Sequence, residues 1–173
     1  WCYDRDILTI AAERIGNEEL TEDTINDLNY KRNDVASAGI TGVMGMGNIP
    51  IYNQMFLEQA KIIRKLANYG SAVFLGRCAD YILKDIKNCT SVYLYADREF
   101  RKNRVKEIYG SNAEIMDKEE KNRADYYNYY TGNRWGDINN YDFAINTSKV
   151  SFEEAADLIY RFAKDKQKNL KDR

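Results

Sequence analysis

Residues 72–80 read AVFLGRCAD, and residues 91–104 read SVYLYADREFRKNR. Each stretch begins with a short run that is apolar on both faces, which is typical of a parallel strand covered by helices. Similar short runs lie at Trp1–Tyr3 and Phe143–Ile145, and segments with helical periodicity separate them. This alternation predicts an α/β layered domain whose four strands are parallel within one sheet.

The helical segments carry start and stop signals. Gly70 ends a segment in which apolar residues recur at helical spacing from Phe56 onwards. Ser151 and Glu154 form a capping-box pattern ahead of a C-terminal helix over about 152–166. Asp97 occupies the N-cap position of the helix that follows SVYLY.

The composition excludes several kinds of chemistry. The chain has 173 residues, with 26 Lys and Arg against 27 Asp and Glu, and it has no histidine. The absence of histidine excludes His-based triads and His metal sites. A net charge of −1 gives no general attraction to nucleic acid or to anionic membranes, and no apolar run approaches the roughly 18 residues that a membrane helix needs. The three cysteines lack metal-ligand spacing, which favours free thiols in the cytoplasm.

Arg77 follows the AVFL run through Gly76, so we expect it at the carboxyl end of a strand, where ligands bind in open α/β sheets. A guanidinium in this position can hold a phosphate through two parallel hydrogen bonds. The alternative is a surface arginine that pairs with Asp80. The position directly after a strand and a glycine favours phosphate binding.

Arg101 and Arg104 lie one turn apart on the helix that follows the second run. They form a second basic pair that we expect at the same edge of the sheet. The alternative is an ordinary solvated helix face, and the residues alone leave the two interpretations equal.

Residues 118–130 read KEEKNRADYYNYY. On a helix, Glu120 lies three residues before Arg123 and can hold its guanidinium in a fixed orientation. One interpretation is a charged helix whose tyrosines pack on the core. The other is a mobile lid over about 112–137 that places Lys121 and Arg123 over transferring phosphates.

A glycine-rich loop over about 38–50 contains the string AGITGVMGMGNI. Its glycines are not followed by Lys-Ser or Lys-Thr, so it is not a Walker A loop. It is either a surface connection or part of a lid or substrate flap.

Three strings together resemble the bacterial cytidylate kinase-like family: GRCADYIL from residue 76, SVYLYADREFRKNRV from residue 91, and KNRADYYNYYTGNRWGDINNYDFAINTS from residue 121. The resemblance implies a single three-layer P-loop NTPase-like domain over 1–173, with a helical lid and a mostly parallel sheet of order 2-3-1-4-5. In that order Trp1–Tyr3 is the second strand. We therefore expect the first strand, the phosphate-binding loop and the first helix to precede Trp1, which leaves the ATP-binding residues unassigned.

The resemblance also implies roles for individual residues. Arg77 corresponds to the arginine that binds the substrate phosphate, and Arg101 and Arg104 correspond to the pair at the base of the lid. Glu120 and Arg123 correspond to the lid motif Asp-x-x-Arg. The implied catalytic residues are Arg77, Arg101, Arg104 and Arg123, which we expect to converge on one crevice, and the implied substrate-binding residues are Asp4, Asp80, Glu120 and Lys121; none is expected to bind a metal.

The implied activity is ATP-dependent phosphoryl transfer, with Mg²⁺, to a nucleoside monophosphate such as CMP or dCMP. The expected partner is a small-molecule nucleotide. Two departures leave alternatives open: Cys78 stands where the family has Asp after the motif arginine, and Glu120 stands where the lid has Asp. The chain could be a non-catalytic nucleotide-binding or regulatory protein, or a kinase for another small acceptor with Asp4 or Asp80 as the base.

Overall fold

The computed structural model describes residues 1–4, 6–16, 51–110 and 113–171. Within these ranges, short strands alternate with helices along the chain. The elements in chain order are β1 (Cys2–Tyr3), α1 (Asp6–Ile15), α2 (Ile51–Tyr69), β2 (Val73–Phe74), α3 (Ala79–Ile82), β3 (Val92–Tyr95), α4 (Arg98–Tyr109), α5 (Ala113–Thr131), a 3₁₀ turn (Ile138–Asn140), β4 (Phe143–Asn146) and α6 (Phe152–Lys171). The predicted glycine-rich loop at 38–50 lies outside the described residues.

The strands pair in parallel, as predicted. β1 pairs with β2, with Cys2 opposite Val73, and β3 pairs with β4, with Val92 opposite Phe143. Within the described ranges these are two separate two-stranded sheets rather than the expected single sheet. A mixed α/β architecture, mostly helical with short parallel strands, is therefore what the chain adopts.

The core forms chiefly where α1 packs against α2. Both helices present one apolar stripe, and Ile7 and Ile63 at its centre are fully buried. Burial of an isoleucine side chain stabilises the folded state by about 1.5–3 kcal/mol. The predicted stop at Gly70 is confirmed, since α2 ends one residue earlier. The other buried residues of these two helices are Leu8, Ala11, Ala12, Met55, Gln59, Ala60 and Ile62.

The two predicted helix caps have different outcomes. The capping box is confirmed: the Ser151 N–H donates to Glu154 Oε2 at 2.9 Å, and the Glu154 N–H donates to Ser151 Oγ at 3.1 Å. Asp97 precedes α4, but its carboxylate makes no capping hydrogen bond. It pairs with Lys149 at 2.8 Å and accepts from the Asn146 amide at 3.2 Å, because a cationic partner competes with the helix N–H groups.

α5 fills most of the predicted lid segment, and its tyrosines pack on the core. Tyr127 is buried, and Tyr126 and Tyr130 pack against the same apolar cluster. The interpretation of a charged helix whose tyrosines pack inward is thus confirmed for these rings. The helix ends at Thr131, and Gly132 follows with φ 71° as a left-handed C-terminal residue.

Candidate functional site

The turn between β2 and α3 has an unusual backbone. Gly76, Arg77 and Cys78 have φ values of 66°, 58° and 54°, so three consecutive residues lie in the left-handed region. This conformation costs a residue with a side chain about 1–2 kcal/mol. Residues held in this way concentrate at functional sites, where the rest of the fold imposes the geometry. The sequence placed Arg77 after the strand correctly but gave no sign of this strain.

Asp80 is fixed to α5 by Tyr127. The Tyr127 hydroxyl donates to Asp80 Oδ2 at 2.7 Å. Burial raises the pKa of the Asp80 carboxyl, and the Tyr127 hydrogen bond offsets part of that rise. Burial and the same carboxylate raise the pKa of the Tyr127 hydroxyl. The side chain of Tyr141 approaches Tyr127 from the segment before β4, and burial raises its pKa to about 12. The contacts of Tyr127 with Asp80 and Tyr141 therefore connect α3, α5 and the segment before β4.

Arg101 and Arg104 line one pocket. It has a volume of about 350 Å³ and lies where β3 and β4 end, between α4 and the first turns of α6, with Leu94, Phe152 and Ile159 in its wall. The Arg104 guanidinium lies over the Phe152 ring at 4.2 Å. Most of the remaining wall is apolar. The two cations are thus the main polar groups that face this space.

Within the described ranges, the Arg101 side chain is held by Glu120. Its Nη1 donates to Glu120 Oε2 of α5 at 2.5 Å. Its Nε is buried and has no hydrogen-bond partner in the described part of the chain. A second ion pair, between Arg98 and Asp117, joins the same two helices one turn earlier. The sequence predicts that Glu120 orients Arg123. In the structure, Glu120 contacts Arg101 from the predicted lid segment.

The other predicted site residues lie on exposed surface. Asp4 follows β1, and Lys121 and Arg123 project from α5. The structure brings Arg101, Arg104 and Glu120 together, and it places Arg77 with Cys78 and Tyr126. Convergence of all four arginines stays a prediction.

Sequence reasoning missed two groups beside Arg77. The sequence pattern indicates only a packing role for Tyr126 and assigns no role to Gln59. Gln59 lies three residues after Phe56 in the buried stripe of α2. A polar residue at a core position of a helix is the signal that could have identified it, because buried polar groups need partners.

The described ranges contain neither a metal-ligand cluster nor a membrane-spanning helix. No group of three or more Cys, Asp or Glu side chains there is arranged to hold a metal ion. No helix there is both long enough and apolar enough to cross a bilayer.

Comparison with known proteins identifies the family. Residues 1–149 match the model of the cytidylate kinase-like family, so the chain belongs to that family. Membership indicates a phosphotransferase of the nucleotide kinase kind. A crystal structure of an uncharacterized protein from Eubacterium ventriosum ATCC 27560 is similar, with 29% sequence identity and a TM-score of 0.62 over 92% of this chain and 90% of that chain. No curated protein matches the chain.

Proposed function

We propose that the protein transfers the γ-phosphate of ATP to a nucleoside monophosphate, with CMP or dCMP as the preferred acceptor. The observation that carries this proposal is the pocket where Arg101 and Arg104 meet at the ends of β3 and β4. Apolar walls with two guanidiniums suit a flat heterocycle that carries phosphates. Membership of the cytidylate kinase-like family supports the same chemistry.

One atom in the described residues, Arg101 Nε, is suited to bind a phosphate of the nucleotide. Among the described residues, nothing accepts a hydrogen bond from the buried Arg101 Nε, and a phosphate oxygen would give it a charge-assisted hydrogen bond. Mg²⁺–ATP supplies the transferable phosphoryl group and neutralises its charge. The described side chains offer no metal cluster, so we assign the protein the task of binding and orienting the phosphates.

Each arginine has a proposed task. Arg77 holds the phosphate of the acceptor from the strained turn after β2. Arg101 and Arg104 hold the phosphates of the donor, and Glu120 keeps Arg101 oriented. Arg123, exposed on α5, reaches the transferring group when α5 closes as a lid. Because phosphoryl transfer depends on positioning and charge, these guanidiniums would supply most of the catalysis.

The remaining proposed site residues are acidic or lie on the lid. Lys121 accompanies Arg123 on the exposed face of α5. We assign Asp4, which is exposed directly after β1, to the acceptor side of the site. Asp80 contributes through Tyr127, because its carboxylate fixes the turn against α5. Asp80 in this role helps to hold the Arg77 backbone in its left-handed conformation.

Exposed apolar residues on the strands support the finer fold proposal of a three-layer P-loop domain with sheet order 2-3-1-4-5. Val73 on β2 and Leu75 directly after it are about half exposed or more. Parallel sheets are normally covered on both faces. A further strand between β2 and β3, with a helix over it, would cover these side chains and join the two sheets.

A non-catalytic nucleotide-binding protein is the second candidate, and Cys78 favours it. Burial raises the pKa of the Cys78 thiol to about 12, so the thiol is neutral and does not replace the carboxylate that the resemblance places at this position. Such a protein would bind nucleotides without turning them over.

Calorimetric titration separates binding from chemistry. Full-length protein should bind ATP and CMP separately, with dissociation constants of about 1 µM to 1 mM, the usual range for enzyme substrates. Adenosine and cytidine, which lack the phosphates, should bind far more weakly, since the arginines recognise the phosphates. Absence of binding for every nucleotide tested would eliminate both the kinase and the non-catalytic alternative.

A further inference from the structure

Two buried polar atoms lie together between α2 and α5. Gln59 is 3% exposed, and its Oε1 has no hydrogen-bond partner in the described ranges. The Tyr126 hydroxyl is also buried, and no hydrogen bond of normal geometry reaches it in the described residues, where the Gln59 side chain is its polar neighbour. The Gln59 side chain approaches this hydroxyl, and so do the Cys78 thiol and the Arg77 guanidinium. Two helices and the strained turn thus direct polar groups at one place.

Neighbouring tyrosines on α5 differ from Tyr126. The Tyr127 hydroxyl donates to Asp80 at 2.7 Å, and the Tyr130 hydroxyl donates to Asn53 Oδ1 at 3.3 Å. These two hydroxyls therefore have hydrogen-bond partners within the chain. A buried polar group without a partner destabilises a fold, and an apolar residue of similar shape would be tolerated better. Gln59 and Tyr126 are consequently candidates to bind something other than the protein itself.

We propose that Gln59 and Tyr126 are specificity residues that bind the amino edge of a pyrimidine base whose phosphate Arg77 holds. This inference rests on the proposed function and deepens it. Gln59 Oε1 accepts a hydrogen bond from the exocyclic amine, and the Tyr126 hydroxyl donates to the adjacent ring nitrogen. An aminopyrimidine such as cytosine presents this pair of groups side by side, whereas uracil presents a carbonyl and an N–H.

The side chains in the turn after β2 offer no strong hydrogen-bond acceptor to the amino group of a base. Cys78 is buried beneath the turn, and a thiol is a weak hydrogen-bond partner. Gln59 comes from a different element, α2, but reaches the same place beside Tyr126. The acceptor that the turn lacks is thus provided by α2.

The test uses full-length protein and compares kcat/KM for CMP with kcat/KM for UMP. The variants are Gln59→Met, which keeps the side-chain length, and Tyr126→Phe, which removes only the hydroxyl. Tyr130→Phe is the matched control, because it removes a hydroxyl from the same aromatic cluster that already has a partner in Asn53. Melting temperatures of the nucleotide-free proteins are measured alongside.

We expect the wild type to prefer CMP and each test variant to lose about 3- to 10-fold of that preference, the usual effect of one neutral hydrogen bond. The melting temperature of Tyr126→Phe should be unchanged or higher, while that of Tyr130→Phe should fall with the CMP preference intact. An unchanged preference in both test variants would overturn the inference and leave the proposed function standing. A lower melting temperature of Tyr126→Phe with an unchanged CMP preference would also overturn the inference. That result would mean that the hydroxyl binds an ordered water molecule rather than the base. If the wild type acts on no monophosphate, the inference fails together with the proposed function.

Discussion

Replacement of Arg77 by glycine should stabilise the protein and nearly abolish its activity. The residue has φ 58°, and glycine adopts this conformation without the steric cost, so the free energy of unfolding should rise by about 1 kcal/mol. Loss of a bidentate phosphate contact should reduce kcat/KM by about 10²-fold or more. Changes of opposite sign in stability and activity are the signature of strain that is kept for function.

Gly76→Ala is the control for the backbone part of this prediction. Gly76 has φ 66°, and nothing lies within 4 Å of the Cβ that alanine would add. The substitution should therefore lower stability by about 1–2 kcal/mol through backbone strain alone. Urea unfolding measures both variants. Lower stability of Arg77→Gly with full activity would show that Arg77 is a structural residue.

Arg101→Met should produce the larger loss of turnover, and Arg98→Met provides a matched control. Both arginines lie on α4, and each pairs with an acid on α5 that is 19 residues further along the chain. Arg101 also lines the pocket, whereas Arg98 does not. We expect kcat/KM to fall by about 10³-fold for Arg101→Met, by comparison with arginines that stabilise phosphoryl transfer.

Arg98→Met should leave kcat/KM within about 3-fold of the wild type. Its ion pair with Asp117 is exposed, and such a pair contributes at most about 1 kcal/mol to stability. Steady-state kinetics and thermal melting of both variants separate the two roles. Equal losses of activity in the two variants would mean that both arginines act by holding α4 against α5, and that Arg101 does not bind phosphate in the pocket.

The alternation of strands and helices could be predicted because it depends on local patterns. β3 and β4 coincide with their apolar runs to within a residue or two, and the capping box at Ser151 forms as its spacing predicts. The N-cap position of Asp97 is confirmed, but its side chain does not cap the helix because it pairs with Lys149, which is 52 residues away along the chain. A lysine that arrives through the tertiary fold cannot be read from the four residues around a helix start.

The sequence predicts which residue types form the candidate site, but it predicts only some of the contacts between them. Arg101 and Arg104 share a pocket because one helical turn separates them, which is a local relation. The contact of Tyr127 with Asp80 and the approach of Gln59 to Tyr126 join elements that are distant in sequence. The left-handed backbone of Arg77 is likewise imposed by the surrounding structure, since arginine has no preference for it.

Formation of ADP with a nucleoside monophosphate is the measurement that tests the central claim most directly. Full-length protein would be incubated with Mg²⁺–ATP and, in turn, CMP, dCMP, UMP, AMP and GMP, and both ADP and the new diphosphate would be quantified. The proposal predicts equal amounts of the two products, fastest with CMP or dCMP, and a rate that falls sharply in Arg101→Met. ADP formation no faster than the acceptor-free background for all five monophosphates, from protein that still binds nucleotide, would contradict it.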